Sequence, residues 1–196
     1  RLSEQMQALK VGPALDPPTQ IGPVVDEKQL KSNLSYVELA RQEGATVIGG
    51  ALLNQDAPGF YQAPALFIGT TNDMRINREE IFGPVMCMME ADDIDSAIDI
   101  VNANPNGNGT SIFTNSGWNA RHYENNIDVG QIGINIPIPV PVAYFSFTGS
   151  RASKLGDLGP NGQQAVQFWT QTHTVSARWF EPEEVSEGVN TTITMS

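Results

Sequence analysis

"REEIFGPV", residues Arg78 to Val85, sets two adjacent carboxylates before Ile-Phe and closes on Gly-Pro, a pairing that no helix or strand interior would choose. Glu79 and Glu80 are neighbours, so in an extended chain they point to opposite sides. Gly83 admits unusual backbone angles, and Pro84 fixes its own. One carboxylate and one aromatic ring, Phe82, are thus held just before a rigid turn, ahead of the strand-like apolar run from Val85 to Met89. Such a junction either presents a side chain to a ligand or caps a strand with solvated acids. These residues alone leave both readings open.

Working outward, helices and short strands alternate on both sides of the turn. The chain opens on Leu2, Met6 and Leu9, the spacing of an amphipathic helix with no capping residue, and is expected to be a piece of a longer protein. "VGPALDPPTQIGPVV" carries four of the thirteen prolines and reads as a connector. Asp26 is a candidate N-cap for a helix with Leu30, Leu34 and Val37 on one face, ended by Gly44, and "ATVIGG" follows as a short buried strand. "APGFYQAPALF" leads into a second strand and "REEIFGPVMCMME" into a third. Asp92 or Asp93 caps a helix with Ile94, Ala97, Ile98 and Val101 on one face, and "NPNGNG" terminates it. "TSIFT" reads as a strand, "SGWNARHYENNID" as a helix and "GQIGINI" as a further strand. This alternation predicts an α/β fold, a mostly parallel layered sheet with flanking helices. Prolines 137, 139 and 141 mark an extended loop crossing the sheet's edge. A short helix is expected around Gly162 to Phe168, then a strand in "THTVSARW" and an acidic, polar tail.

The composition excludes some function classes. Eleven basic against twenty-two acidic residues, a net charge of -11, repel nucleic acid and anionic lipid surfaces, so neither is an expected partner. The single cysteine, Cys87, permits no internal disulfide and is compatible with a reducing compartment, and the expected location is cytoplasmic. No stretch reaches the roughly 20 apolar residues of a membrane span.

The residues that carry chemistry are sparse. His122 and His173 are the only histidines, with no cysteine or histidine at ligand spacing, so no metal is expected. His122 is read as a solvated surface residue and His173 as a structural residue in a strand. Cys87 lies inside Val-Met-Cys-Met-Met, where core packing outweighs catalysis. Gly107 and Gly109 lack the third glycine of a dinucleotide fingerprint. Ser146, Ser150 and Ser153 have no nucleophile-elbow context.

With "VGPALDPPTQIGPVV", "GATVIGG", "APGFYQAPALF", "FGPV", "FTNS" and "GQIGIN" in this order, the chain resembles the aldehyde dehydrogenase superfamily from residue 1 to about 180. "GNGTSIFT", "NIPIPVPVAYFSFTGSRASKLGDL" and "VQFWTQTHTVSARW" are similar to the methylmalonate-semialdehyde dehydrogenase branch. The resemblance implies that Glu80 hydrogen-bonds the nicotinamide ribose hydroxyls of NAD, that Phe82 touches the nicotinamide end, and that Glu79 is structural, an ion-pair partner. It implies that Asn135 lies near the catalytic centre and that Phe147 lines the aldehyde tunnel, with ordinary packing an equal reading for both. In the family a cysteine attacks the aldehyde, hydride passes to NAD, and the thioester passes to an acceptor that in this branch resembles coenzyme A.

The nucleophile's segment is expected upstream of Arg1, so no catalytic residue is assigned here and the chain alone is expected to be inactive. The resemblance divides the chain into a C-terminal portion of the catalytic domain (1–160), a helix with an oligomerisation strand (161–180), Thr172 to Trp179 joining a neighbouring subunit, and an acidic tail (181–196). The partners implied are a small semialdehyde, coenzyme A and a second copy. Two rivals stand beside this: a water-using dehydrogenase of 2-oxoglutarate semialdehyde, which the Pro-alternating loop disfavours, and a non-catalytic dimerisation module.

Overall fold

A computed structural model describes residues 1–53 and 58–179. Helix α1 (Leu2–Gln7) begins without a side-chain cap. The connector after it is pinned by single bridges, Val11 to Ile21 and Val24 to Phe60. Asp26 then accepts the Gln29 N–H at 2.7 Å and starts α2 (Glu27–Gln42). Gly44, at φ 92°, lets the chain leave that helix in a conformation other residues resist.

Next come β1 (Thr46–Gly49), β2 (Leu52–Leu53), β3 (Tyr61–Gln62), β4 (Ala65–Ile68), the one-turn α3 (Arg75–Arg78) and β5 (Val85–Met88). The sheet order is β1-β4-β5, with β1 antiparallel and β5 parallel to β4, while β2 and β3 form a separate antiparallel pair. Strand β4 is buried along most of its length because α2 covers it. Val37, Ala40, Ala45, Ala65, Phe67 and Ile76 make one cluster, and Phe67 is fully enclosed.

Helix α4 (Ile94–Asn102) is capped by Asp93, which accepts the Ser96 N–H at 2.8 Å. It is followed by β6 (Asn106–Gly107), β7 (Gly109–Ile112), α5 (Gly117–Asn126), β8 (Gln131–Ile134) and β9 (Ser150–Arg151). Strand β8 lies parallel to β7, and β9 antiparallel to β6. Ile98, Tyr123 and Ile127 form a second, smaller cluster. Each parallel pair is joined through a helix, α3 or α5, because parallel strands cannot be linked by a tight turn.

The chain divides into two units. One holds residues 1–140 and 147–156; the other holds 141–146 with the chain from Asp157, including α6 (Gly162–Trp169).

The α/β class stands, with sheets of mixed sense: among the described residues two strand pairs are parallel and three antiparallel. "NPNGNG" does more than end a helix, since Asn106 and Gly107 pair with Arg151 and Ser150. The strand read in "THTVSARW" is absent among the described residues, and His173 there is exposed. Strand propensity builds no ladder without a partner edge. The tail from 181 lies outside the described residues. Among those residues no helix is long and apolar enough to cross a membrane.

Candidate functional site

The turn at residues 79–84 is held from beneath by one face of α2. Gln29, Asn33 and Tyr36, spaced four and three apart, share a helical stripe. The Gln29 side-chain amide donates to the Ile81 carbonyl at 2.9 Å. Asn33 is fully buried and presses so closely on Gly83 that a Cβ there would meet its Nδ2 at 2.3 Å. Glycine is needed at 83 for that approach. The left-handed backbone angle falls one residue earlier, on Phe82 at φ 53°.

The two acids differ in their partners, although both line the same cleft. Arg75 grips Glu79 with both arms of its guanidinium, Nε to Oε1 at 2.9 Å and Nη2 to Oε2 at 3.0 Å, and the Tyr36 hydroxyl donates to Oε2 at 2.8 Å. The Arg75 hydrogen bond, then that of Tyr36, holds the Glu79 carboxyl below its ordinary range, and the same carboxylate pushes the Tyr36 hydroxyl up. Glu43 completes the brace by accepting the Arg75 N–H at 2.9 Å at the start of α3. Glu79 is the structural acid. Glu80 is exposed and, among the described residues, makes no hydrogen bond or ion pair.

Glu80 lines a cleft of about 840 Å³. The far wall is built by Asn106 to Thr110, Val129, Phe147, Ala152 and Ser153. Of the four residues assigned to ligands from sequence, Glu80 and Phe147 share this cleft; Phe82 and Asn135 do not line it. Phe82 is 72% exposed just past the clamped acid. Asn135, at φ 58°, bridges the main chain of Thr114, accepting its N–H at 2.9 Å and donating to its carbonyl at 3.0 Å. Its amide thereby extends the β7–β8 pairing beyond the last strand residue.

Arg151 fixes the far wall. Its guanidinium pairs with the Asp128 carboxylate at 3.0 Å and donates to the carbonyls of Asn106 at 2.7 Å, Val101 and Asp128. A hydrogen bond from Ser150, then one from Arg151, keeps the Asp128 carboxyl below its ordinary range.

Cys87 is half-buried with its thiol toward the Ile76 carbonyl at 3.5 Å, and burial pushes that thiol up, away from the thiolate. His122, expected to be solvated, is instead held: Nε2 lies 2.5 Å from Asp95 Oδ1, and the ring stacks on Trp118 at 4.7 Å. The contact joins α4 to α5, which sequence spacing cannot reveal. Among the described residues, no group of three or more acidic, histidine or cysteine side chains is placed to hold a metal.

The residues missed from sequence are polar ones. Asn72, Asn77, Asn104, Asn106 and Asn108 all line the cleft, from segments brought together only by folding. Asn33 did leave a trace, as a polar residue within the apolar face of α2.

The aldehyde dehydrogenase family model matches residues 1–175. The chain is 47% identical over 185 residues to a Caenorhabditis elegans protein assigned as a methylmalonate-semialdehyde/malonate-semialdehyde dehydrogenase (acylating), mitochondrial, covering 92% of this chain and 35% of that one. It is 39% identical to malonate-semialdehyde dehydrogenase 1 of Oceanobacillus iheyensis, covering 92% of this chain and 37% of the relative. The crystal structure of methylmalonate-semialdehyde dehydrogenase from Oceanimonas doudoroffii superposes with a TM-score of 0.89 at 40% identity, over 93% of this chain and 38% of that one. A Sinorhizobium meliloti protein assigned to the same activity, and complexed with NAD, gives 0.88 at 34% identity, over 92% of this chain and 37% of that one. The chain thus spans just over a third of the length of these relatives.

Proposed function

We propose, from the premise that this chain belongs to the aldehyde dehydrogenase family, that it is part of an NAD-dependent enzyme that oxidises malonate or methylmalonate semialdehyde and passes the acyl group to coenzyme A. The observation that carries the reading is the division of labour at the turn: Glu79 is clamped by Arg75 and Tyr36, while Glu80, on a cleft wall, has no partner among the described residues. A free carboxylate suits two ribose hydroxyls, each donating to one oxygen.

In this reading Glu80 holds the ribose and the exposed ring of Phe82 meets the nicotinamide end. Phe147 supplies apolar surface to the aldehyde's path, and Asn135 keeps the strand ends beside it in register. NAD, when bound, accepts the hydride. The thioester-forming thiolate is not Cys87, whose burial opposes ionisation. We assign residues 1–160 to the catalytic domain, 161–180 to association and 181–196 to an acidic tail. Thr172 to Trp179 then gains a ladder only by pairing with a second copy, and the exposed Trp179 gains cover there. The lone cysteine favours a reducing site such as the cytoplasm, although the C. elegans relative is named as mitochondrial.

The test is NADH formation from malonate semialdehyde by the dehydrogenase that contains this chain, with and without coenzyme A. Acyl-CoA formed in step with NADH is expected. Turnover yielding free acid at the same rate without coenzyme A would overturn the acceptor, and turnover by the isolated chain, lost on Cys87→Ser, would overturn the assignment of the nucleophile.

A further inference from the structure

The sequence places two Asn-Gly pairs side by side, Asn106-Gly107 and Asn108-Gly109. Asn-Gly is the dipeptide most open to attack on itself. With no side chain on the second residue, its main-chain nitrogen can approach the asparagine Cγ and close a five-membered ring. Both asparagines are exposed and both line the cleft, so composition and solvent access do not distinguish them. The fold does.

Asn106 lies in β6, opposite Arg151. Its N–H donates to Asn104 Oδ1 at 2.8 Å and its carbonyl accepts Arg151 Nη2 at 2.7 Å. The nitrogen that would attack, that of Gly107, is occupied by Ser153 Oγ at 3.0 Å, and the Gly107 carbonyl accepts the Gly130 N–H at 3.0 Å. This peptide is fixed on both sides in extended geometry, and rotating it into the ring-closing arrangement means opening those bonds first.

Asn108 instead stands at the bend between β6 and β7. Its carbonyl accepts the Gln131 N–H at 3.1 Å, and the parallel register sets Gly109 opposite Gln131. In a parallel ladder that arrangement turns the Gly109 N–H away from β8. It faces the other edge of β7, which no strand pairs among the described residues.

We propose that Asn108 is a site of spontaneous deamidation, with Asn106 protected by the fold. The Gly109 nitrogen loses its proton to solvent base and attacks Asn108 Cγ. The N–Cγ bond forms, the Cγ–Nδ2 bond breaks, and nitrogen leaves as ammonia. Water then opens the succinimide at either carbonyl, giving aspartate or isoaspartate, with no redox change. Either product adds a negative charge to a cleft already lined by Glu79 and Glu80. In the isoaspartate the main chain runs through Cβ and Cγ, which adds a methylene and turns the Asn108 carbonyl that holds Gln131 into a side carboxylate, so the start of the β7–β8 ladder loosens. The inference does not depend on the dehydrogenase reading.

The chain is held at mildly alkaline pH, folded and in parallel unfolded in urea. Amide loss at each position is followed by peptide mapping with mass spectrometry, and isoaspartate by enzymatic methylation. In urea both pairs react. In the folded chain Asn108 is expected to react near its unfolded rate, and Asn106 about tenfold slower or more, the factor expected when an ordinary hydrogen bond must open first. Ser153→Ala, which frees the Gly107 N–H, should raise the Asn106 rate; Gly109→Ala should slow Asn108. Equal rates in the folded chain, a faster Asn106, or an Asn108 that survives folded while reacting in urea would each overturn the proposal.

Discussion

The two β-helix-β modules solve the same problem with different materials. The first, from α2 to β5, encloses Phe67 and Ala65 beneath a capped sixteen-residue helix whose Ala40 is itself fully buried. The second, from α4 to β9, has a smaller buried apolar cluster, Ile98, Tyr123 and Ile127, and is fastened by polar clips: Arg151 on Asp128 and neighbouring carbonyls, His122 on Asp95, and Asn102 on Asn126 and Asp128. The apolar module carries the rigid turn with Glu79 and Glu80, and the clipped module carries the opposite wall of the cleft. Stability in the first should therefore follow side-chain volume, and in the second individual hydrogen bonds.

The largest effect is expected at Phe67→Ala, about 3–5 kcal/mol by denaturant titration, because the ring is fully enclosed and its cavity cannot collapse. Next is Arg151→Ala. Its side chain is 19% exposed and serves several acceptors, so a loss of about 2 kcal/mol is expected. Because Arg151 sits at φ 52°, Arg151→Gly should cost less than Arg151→Ala, reversing their usual order. A reversed result would mean that the backbone there is relaxed. Ser116→Ala removes the cap on Asn119 at the start of α5 and should cost about 1 kcal/mol.

The smallest effect concerns acid. Glu79 and Asp128 both have folded carboxyls below their ordinary values of 4.5 and 3.8. Depressed values mean that the contribution is present above the unfolded range and lost as pH falls through the folded one. Glu79→Gln and Asp128→Asn should therefore flatten the acid limb of a melting-temperature profile below those values and leave its neutral slope alone. Both groups are exposed, so the changes should be slight and weaker in high salt.

Much of the first module was legible in sequence because its signals are local. Asp26 caps where its spacing to the apolar stripe says, as Asp93 does at the start of the second module, and Gly44 ends α2. The structural role of Glu79 came with the family resemblance, since adjacency alone does not say which of two acids is clamped. The role of Gly83 was not legible, because its constraint comes from Asn33, fifty residues earlier, and not from its own backbone angle. For the same reason the asparagine lining of the cleft and the His122–Asp95 contact were invisible: each joins segments whose separation carries no period. "THTVSARW" has the composition of a strand, but composition does not supply the partner edge that makes one.

The division between Glu79 and Glu80 is tested most directly by the single-turnover rate of NADH formation, per folded molecule, in the dehydrogenase containing this chain. Glu80→Gln should slow that step while leaving the melting temperature unchanged, because the carboxylate has no partner among the described residues and, on the proposed reading, positions only the bound reactant. Glu79→Gln should lower the melting temperature and leave the rate of the folded fraction near the parent's. An unchanged rate in Glu80→Gln, or a loss of folding equal to that of Glu79→Gln, would contradict the account.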